Sequence, residues 1–445
     1  MPSGMVKSLL TRASGLLAAR LVGAALALFA NILIARGFGA EALGIFALIL
    51  ALASLLSVFL PLGFQAIGVM VVSQYRAKSA YGQARQFLVQ GYRNIVWSTL
   101  VAALLVIAGF YGWTVATDTQ PPLALAFVLL IAPPLAAMNL NASYLNGRKM
   151  AFAAWLPDLV TKPLLMTAGI FLAMQLFTTP GQFHLLGAVA ASYWLTLGFQ
   201  TMSVRRANAG ISREVSNDQG QWYATATPWI FITILSEYFV ELNLLLAGLL
   251  LLPAQVAILH VCFRLRMLTA FGLRALYGLA LPDIYSCHAN NDWTGFRQHL
   301  LLANGLAVTY AVAVSGGLYL LGEYVLWLFG EAFVAGTSAL VVVSLAMVIR
   351  AAFGPAPAVL AAHGYHMGSF VILLIGSVLT AILAVSLVGQ FGLLALASAY
   401  TISYSAVAIA QWWWLKHRTG IDSSIFAGIL EHLKNNPQLD DAKAT

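Results

Sequence analysis

Twelve apolar runs dominate the chain, near residues 14–35, 41–72, 92–112, 122–144, 156–177, 184–204, 225–250, 254–285, 299–321, 332–361, 368–388 and 391–415. Each matches or exceeds the roughly 20 residues with which an α-helix crosses the ~30 Å hydrocarbon core of a bilayer. The pattern predicts an all-α polytopic membrane protein of about 12 transmembrane helices. Runs 41–72, 254–285 and 332–361 are too long for a straight crossing and predict tilt or kinks. Gly63 beside Pro61, Gly272 and Gly278 beside Pro282, and Pro355 with Pro357 are the expected bend points. The first run contains Arg20 and is followed at once by further spans, so it reads as an anchored helix and not as a cleaved signal peptide.

Composition sharpens this picture. Hydrophobic residues make up 61% of the chain and charged residues only 9%, against about 25% charged in soluble domains, and a mean hydropathy of +0.85 excludes a single soluble globule. The net charge of +8 would suggest nucleic acid in a soluble protein; here no nucleic-acid partner is expected, because the charges sort by side of the membrane. Arg76, Lys78, Arg85, Arg93, Arg148, Lys149, Arg205, Arg206, Arg213, Arg297, Lys416 and Arg418 follow even-numbered spans, whereas the opposite connections carry Arg36 with Glu41, Asp118, Glu323 and Glu331. The positive-inside rule then places both termini in the cytoplasm. Cys262 and Cys287 read as packing residues. Phosphate-loop, dinucleotide, HExxH and paired CxxC motifs are absent, and the outer connections are too short for a catalytic domain, so no catalytic residue is expected. His363 and His366 come nearest to a metal spacing and read as interfacial histidines, with no metal expected. Asn141 heads a glycosylation sequon inside a span. Trp97, Trp113, Trp155, Trp222, Trp327 and Trp412–Trp414 fit the aromatic belts of membrane interfaces.

The longest basic loop, 205–222, divides the chain into two halves of six spans that weakly repeat each other. Arg85–Gln86 and Arg297–Gln298 follow similar polar turns, and the turns NGRKM and HGYHM precede spans five and eleven. An even number of spans per half makes the repeats parallel, related by an axis along the membrane normal. The expected organisation is an N-terminal six-helix bundle (1–204), a cytoplasmic linker (205–222), a C-terminal six-helix bundle (223–415) and a cytoplasmic tail (416–445). The two pseudo-symmetric bundles would surround a central cavity and work by alternating access. In the tail, Ile421, Ile425, Ile429 and Leu433 share one helical face, which predicts an amphipathic helix along the inner surface.

Several stretches resemble a known family. ILIARGFGAEALGIFALILAL, with Arg36, Gly37, Gly39, Glu41, Gly44 and Phe46 at matching positions, is similar to the first-to-second helix signature of polysaccharide flippases of the multidrug/oligosaccharidyl-lipid/polysaccharide exporter superfamily. ALPDIYSCHANNDWTGFRQHL, the region around WLFGEAF to HGYHMGS, and GQFGLLALASAYTISYSAVAIAQWWWLKHRTG resemble that family's eighth, tenth and last helices. Span eleven departs from it by ending in LAVSLVGQFG without a proline. The resemblance implies a bacterial inner-membrane flippase that carries undecaprenyl-pyrophosphate-linked oligosaccharide to the periplasmic leaflet for surface polysaccharide and lipopolysaccharide assembly. Membrane lipids surround it, and a polysaccharide polymerase and chain-length machinery would be partners. A cation-coupled drug exporter and a peptidoglycan-precursor flippase of the same superfamily are alternatives, as is a membrane glycosyltransferase or polymer ligase from another class.

Charges inside spans mark a pathway, because each costs about 2.5–3.5 kcal/mol at a helix centre and is placed toward a bundle interior or water. Arg20, Arg264, Arg266, Arg274, Arg350, Glu237 and Glu241 lie well inside spans. Arg266 and Arg274 are near 80° apart on span eight, and His260 and Arg264 are one turn apart. The five arginines are the expected pyrophosphate-binding set, since a guanidinium donates two hydrogen bonds to adjacent oxygens. The resemblance places Arg20, Glu237, Glu241, Arg264, Arg266 and Arg274 on helices that line the central cavity. Glu237 and Glu241, one turn apart on span seven within about 6 Å along the axis, serve either H⁺ or Na⁺ coupling or charge pairing with the arginines. No other cofactor is expected. Asp158 and Lys162 read as an interfacial i, i+4 salt bridge.

Overall fold

A computed structural model describes residues 3–119, 122–212, 219–290 and 292–426. The amphipathic tail beyond 426, Arg213 and part of the 205–222 linker lie outside these residues. Among the described residues all regular structure is helical, and contacts divide the chain into two compact units, Met1–Gly248 and Leu249–Thr445.

In the first unit, α1 (Ser3–Phe59) carries two spans joined across Gly39, whose φ of 88° is cheap only without a Cβ. A turn at Pro61–Gly63 leads to α2 (Phe64–Ala77), then α3 (Tyr81–Thr117), a 3₁₀ turn and α4 (Ala126–Gly147). Span five is α5 (Ala151–Leu156), a π-helical turn at Pro157–Thr161 and α6 (Lys162–Leu176). Pro157 lacks a backbone donor and its ring crowds the preceding turn, which the wider π turn relieves. Then come α7 (Gln182–Ala207), α8 (Gln219–Glu237) and α9 (Phe239–Leu250). The core forms where α4 meets α1, α2, α3 and α7 through Ile131, Leu135, Met138, Leu140 and Tyr144. Asn141 is fully buried there and accepts a 2.6 Å hydrogen bond from Tyr92.

The second unit comprises α10 (Pro253–Ala289), α11 (Trp293–Trp327), α12 (Glu331–Val334), α13 (Thr337–Ala352), α14 (Ala356–Ala362), α15 (His366–Phe391) and α16 (Leu393–Thr419). Helices α10, α11, α13 and α16 pack together, and α15 lies on α16. Ala303, Ala307 and Ala311 of α11 are buried, the small-residue contact that lets membrane helices approach closely.

Among the described residues, eight helices are long and apolar enough to cross a membrane, and α8–α9 adds one broken span. The protein is a multi-pass membrane protein, and because α1 runs over two apolar stretches across Gly39 while α7 and the pair α13–α14 lie on two more, the described helices are consistent with the expected twelve-helix organisation. Three details differ. The unit boundary falls at Gly248/Leu249, not at 223, because Trp222 packs edge-on against Phe64 and Phe87 while the Tyr223 hydroxyl accepts from Gln90 at 2.7 Å and donates to Asn94 at 2.7 Å. Helix α10 runs unbroken past Gly272 and Gly278, since Gly272 instead makes room for the Tyr310 ring, whose hydroxyl bonds the Leu268 carbonyl. Span seven is bent by 73° at Tyr238, which separates Glu237 from Glu241 and removes the continuous face on which they were expected to stack.

Candidate functional site

The second unit gathers three arginines around one tyrosine. Tyr404, on α16, lies within electrostatic reach of Arg350, Arg266 and Arg274. The helical repeat sets this up: Arg266 and Arg274 sit on one side of α10, Met347 and Arg350 are three residues apart on α13, and Tyr400 and Tyr404 are one turn apart on α16. The Arg266 guanidinium lies 5.4 Å from the Tyr400 ring centre and 5.8 Å from that of Tyr404; Arg350 lies 5.7 Å from Tyr404. The two tyrosine rings stack at 5.4 Å, and Phe263 supports Tyr400 from behind at 4.8 Å. Beneath the cluster, Leu273, Ala307, Ala311, Met347 and Ala351 form an apolar floor.

The charges are only partly compensated. Arg266 is 6% exposed, and its Nη1 points 3.3 Å from the weakly accepting Met347 sulfur. Its Nε has no acceptor. The second unit's described carboxylates are Asp283, Asp292, Glu323, Glu331 and Asp422. None of them forms an ion pair with Arg266, Arg274 or Arg350, and Asp422 pairs with Lys416. Aromatic faces offset part of this charge, each worth about 0.5–2 kcal/mol. Like charges converging on a dry, apolar floor with an unused donor form a site that gains most from a polyvalent anion.

The arrangement gathers Arg266, Arg274 and Arg350 and leaves two expected members elsewhere. Arg264 projects from another side of α10, toward His260 at 3.5 Å and the Met267 sulfur at 3.7 Å. Arg20 is an exposed residue of α1, in the first unit. Glu237 is exposed and Glu241 half-buried; between them Tyr238 lies near Glu241, Asp158 and Glu237. Asp158 pairs with Lys162 at the π turn, as the i, i+4 spacing expects. His363 places Nδ1 2.8 Å from the Val359 carbonyl. Sequence reasoning missed Tyr400, Tyr404 and Met347. A signal was present in Tyr400–Ser405, YTISYS, a polar stripe in the middle of an apolar helix.

No family model and no curated protein matches the sequence. Solved structures do. An inward-facing multidrug resistance MATE family transporter of the MOP superfamily superposes with a TM-score of 0.72 at 15% identity, over 90% of this chain and 98% of that one. The lipid II flippase MurJ, in an inward closed conformation, gives 0.68 at 16% identity over 89% and 86%. A Pyrococcus furiosus MOP superfamily transporter, described as having a binding pocket of reverse polarity suggestive of a different function, gives 0.61 at 14% over 90% and 94%. The chain therefore has the fold that the multidrug resistance MATE family transporter and the lipid II flippase MurJ share.

Proposed function

We propose that the protein is a flippase that moves undecaprenyl-pyrophosphate-linked oligosaccharide from the cytoplasmic to the periplasmic leaflet of the bacterial inner membrane, for surface polysaccharide assembly. The observation that carries this reading is the cluster of Arg266, Arg274 and Arg350 around Tyr404, in which no arginine pairs with a carboxylate among the described residues of its unit. Three guanidinium groups compensated only by ring faces and a sulfur repel a cationic drug and attract a diphosphate, whose adjacent oxygens match their forked donors. Tyr400 and Tyr404 offer flat faces to a sugar or to the guanidinium planes. The lipid II flippase among the structural neighbours supports a lipid-linked substrate on this fold. Translocation makes no covalent bond; the bundles alternate their access while the anionic head stays screened from the hydrocarbon. Both termini lie in the cytoplasm in this reading, and a polysaccharide polymerase with its chain-length machinery takes up the product.

The test is flipping of a fluorescent undecaprenyl-pyrophosphate oligosaccharide in liposomes containing the purified protein. The parent translocates it, Arg266→Ala abolishes the activity without loss of folded protein, and Arg266→Lys restores it only in part. Efflux of a cationic dye by the parent, with no movement of the lipid, would assign the protein to the drug exporters instead.

A further inference from the structure

A cleft of about 450 Å³ opens where the first turns of α11 meet the last turn of α16 and the residues that follow it. It is distinct from the arginine cluster. Its wall is Trp293, Phe296, Leu300 and Ile421, and its charged edge is Arg297 and Lys416. Phe296, Leu300 and Ile421 belong to a buried apolar cluster that also holds Ile284, Leu360 and Leu415, so the wall is a fixed part of the fold. Trp293 is 47% exposed and meets Phe296 edge-on at 5.9 Å. The cleft's one carboxylate, Asp422, is occupied by Trp412, Lys416 and Ser424. Lys416 keeps half of its side chain open to the surroundings while making that pair.

Position and chemistry together select an occupant. The cleft lies at the ends of two membrane-crossing helices, the level where tryptophan meets lipid head groups, on the side rich in arginine and lysine. Its volume is that of a small-molecule site, and its apolar wall lies directly beside two cations. A soluble anion has no use for that wall, and an acyl chain alone has none for Arg297. A phosphodiester continued by hydrocarbon uses both, and basic pockets between membrane helices on the cytoplasmic side are suited to such head groups.

We propose that this cleft binds an anionic phospholipid of the surrounding leaflet, with the phosphate between Arg297 and Lys416 and the first acyl carbons against Trp293 and Leu300. The site is separate from transport chemistry. It seats a bilayer lipid on the clamp that ties residues 421–424 to the end of α16.

The experiment reconstitutes the full-length protein in nanodiscs of equal phosphatidylcholine and phosphatidylglycerol and counts retained lipids by native mass spectrometry. The parent retains phosphatidylglycerol in preference to phosphatidylcholine. Arg297→Gln lowers that retention by about tenfold, the loss of one charge-assisted hydrogen bond. Leu301→Trp, which narrows the cleft and leaves every charge in place, lowers it as well, so the proposal stays testable if the arginine variant folds poorly. Equal retention of both lipids by the parent overturns the proposal, as does parental retention in a folded Leu301→Trp variant. Displacement of the lipid by glycerol phosphate at matching concentration also overturns it, by showing that the cleft reads phosphate alone.

Discussion

Replacing Arg266 with methionine separates a functional arginine from a structural one, because the two roles predict opposite signs for stability. The side chain is 6% exposed, pairs with no carboxylate among the described residues of its unit, and leaves Nε without an acceptor there. An arginine at a helix centre costs about 2.5–3.5 kcal/mol on insertion scales. The aromatic contacts at 5.4 and 5.8 Å offset part of this, about 0.5–1 kcal/mol each where exposed and more where dry. Methionine keeps the unbranched stem, fills similar space and gains sulfur–aromatic contacts of about 0.3–1.5 kcal/mol. The balance favours Arg266→Met by about 1–2 kcal/mol, a rise of a few degrees in the unfolding midpoint for a unit of this size. Flipping of the lipid-linked substrate should fall to the background of protein-free liposomes in the same preparation. Thermal unfolding in detergent, followed by tryptophan fluorescence, reads the first quantity and the liposome assay the second. A midpoint several degrees below the parent would mean that Arg266 pins helices, and the reasoning from an unsatisfied charge would be wrong.

Other outcomes follow from particular contacts. Gly354 has φ +74°, and a Cβ there would run into the Ser423 carbonyl oxygen, while Ser423 Oγ donates to Phe353 at 2.9 Å; Gly354→Ala should lower the unfolding midpoint and expose the chain after α16 to protease. Asp422 lies outside the spans. Burial pushes its carboxyl up, but hydrogen bonds from Lys416, Ser424 and Trp412 outweigh this and hold it below the ordinary carboxylate range. A depressed folded-state value adds stability above the unfolded-state value near 3.9. That stability is lost as pH falls through the folded value, so Asp422→Asn should destabilise at neutral pH and converge with the parent in acid. For coupling, Glu241 is half-buried beside Tyr238 whereas Glu237 is exposed. Glu241→Gln should therefore blunt the response of flipping to an imposed H⁺ or Na⁺ gradient and Glu237→Gln leave it intact; equal responses from both variants and the parent would remove the glutamates from coupling.

Much of the architecture was written in the apolar pattern because a bilayer imposes one length on every crossing segment. Runs near 20 residues became α4, α7, α15 and α16, and two of the expected bends became breaks: Pro61–Gly63 before α2, and the one expected at Pro355 and Pro357, which falls at Pro355 between α13 and α14. Glycine and proline announce a break only when the surroundings do not restore the helix. At Gly272 the missing side chain serves the Tyr310 ring, so α10 stays whole. Conversely, the sharpest bend, 73° at Tyr238, sits in SEYFVE, with the nearest proline ten residues away at Pro228. No local residue type marks it. Its surroundings are tertiary: Tyr238 lies near Ser57 of α1 and Asp158, both far away in sequence.

The candidate site was legible to the same extent and for a related reason. A charge in a span advertises itself through its insertion cost, so the arginines could be nominated one by one. Which of them share a site depends on helix rotation and on which helices touch. Arg264 and Arg266 are two residues apart and hence about 200° apart around α10; one of them faces His260 and the other Tyr400 and Tyr404. A basic stripe on one helix thus resolves into two faces, and only the face that meets α13 and α16 acquires Arg350 and the aromatic pair. The tyrosines escaped notice because a lone tyrosine in an apolar run is ordinary; what distinguishes Tyr400 and Tyr404 is their one-turn spacing. That spacing stacks their rings at 5.4 Å and gives Arg266 two faces to lie against. An arginine held by ring faces and a weakly accepting sulfur keeps its forked donors uncommitted to a carboxylate among the described residues, which is the electrostatic condition an anion-carrying site requires and a helix-pinning salt bridge would have removed.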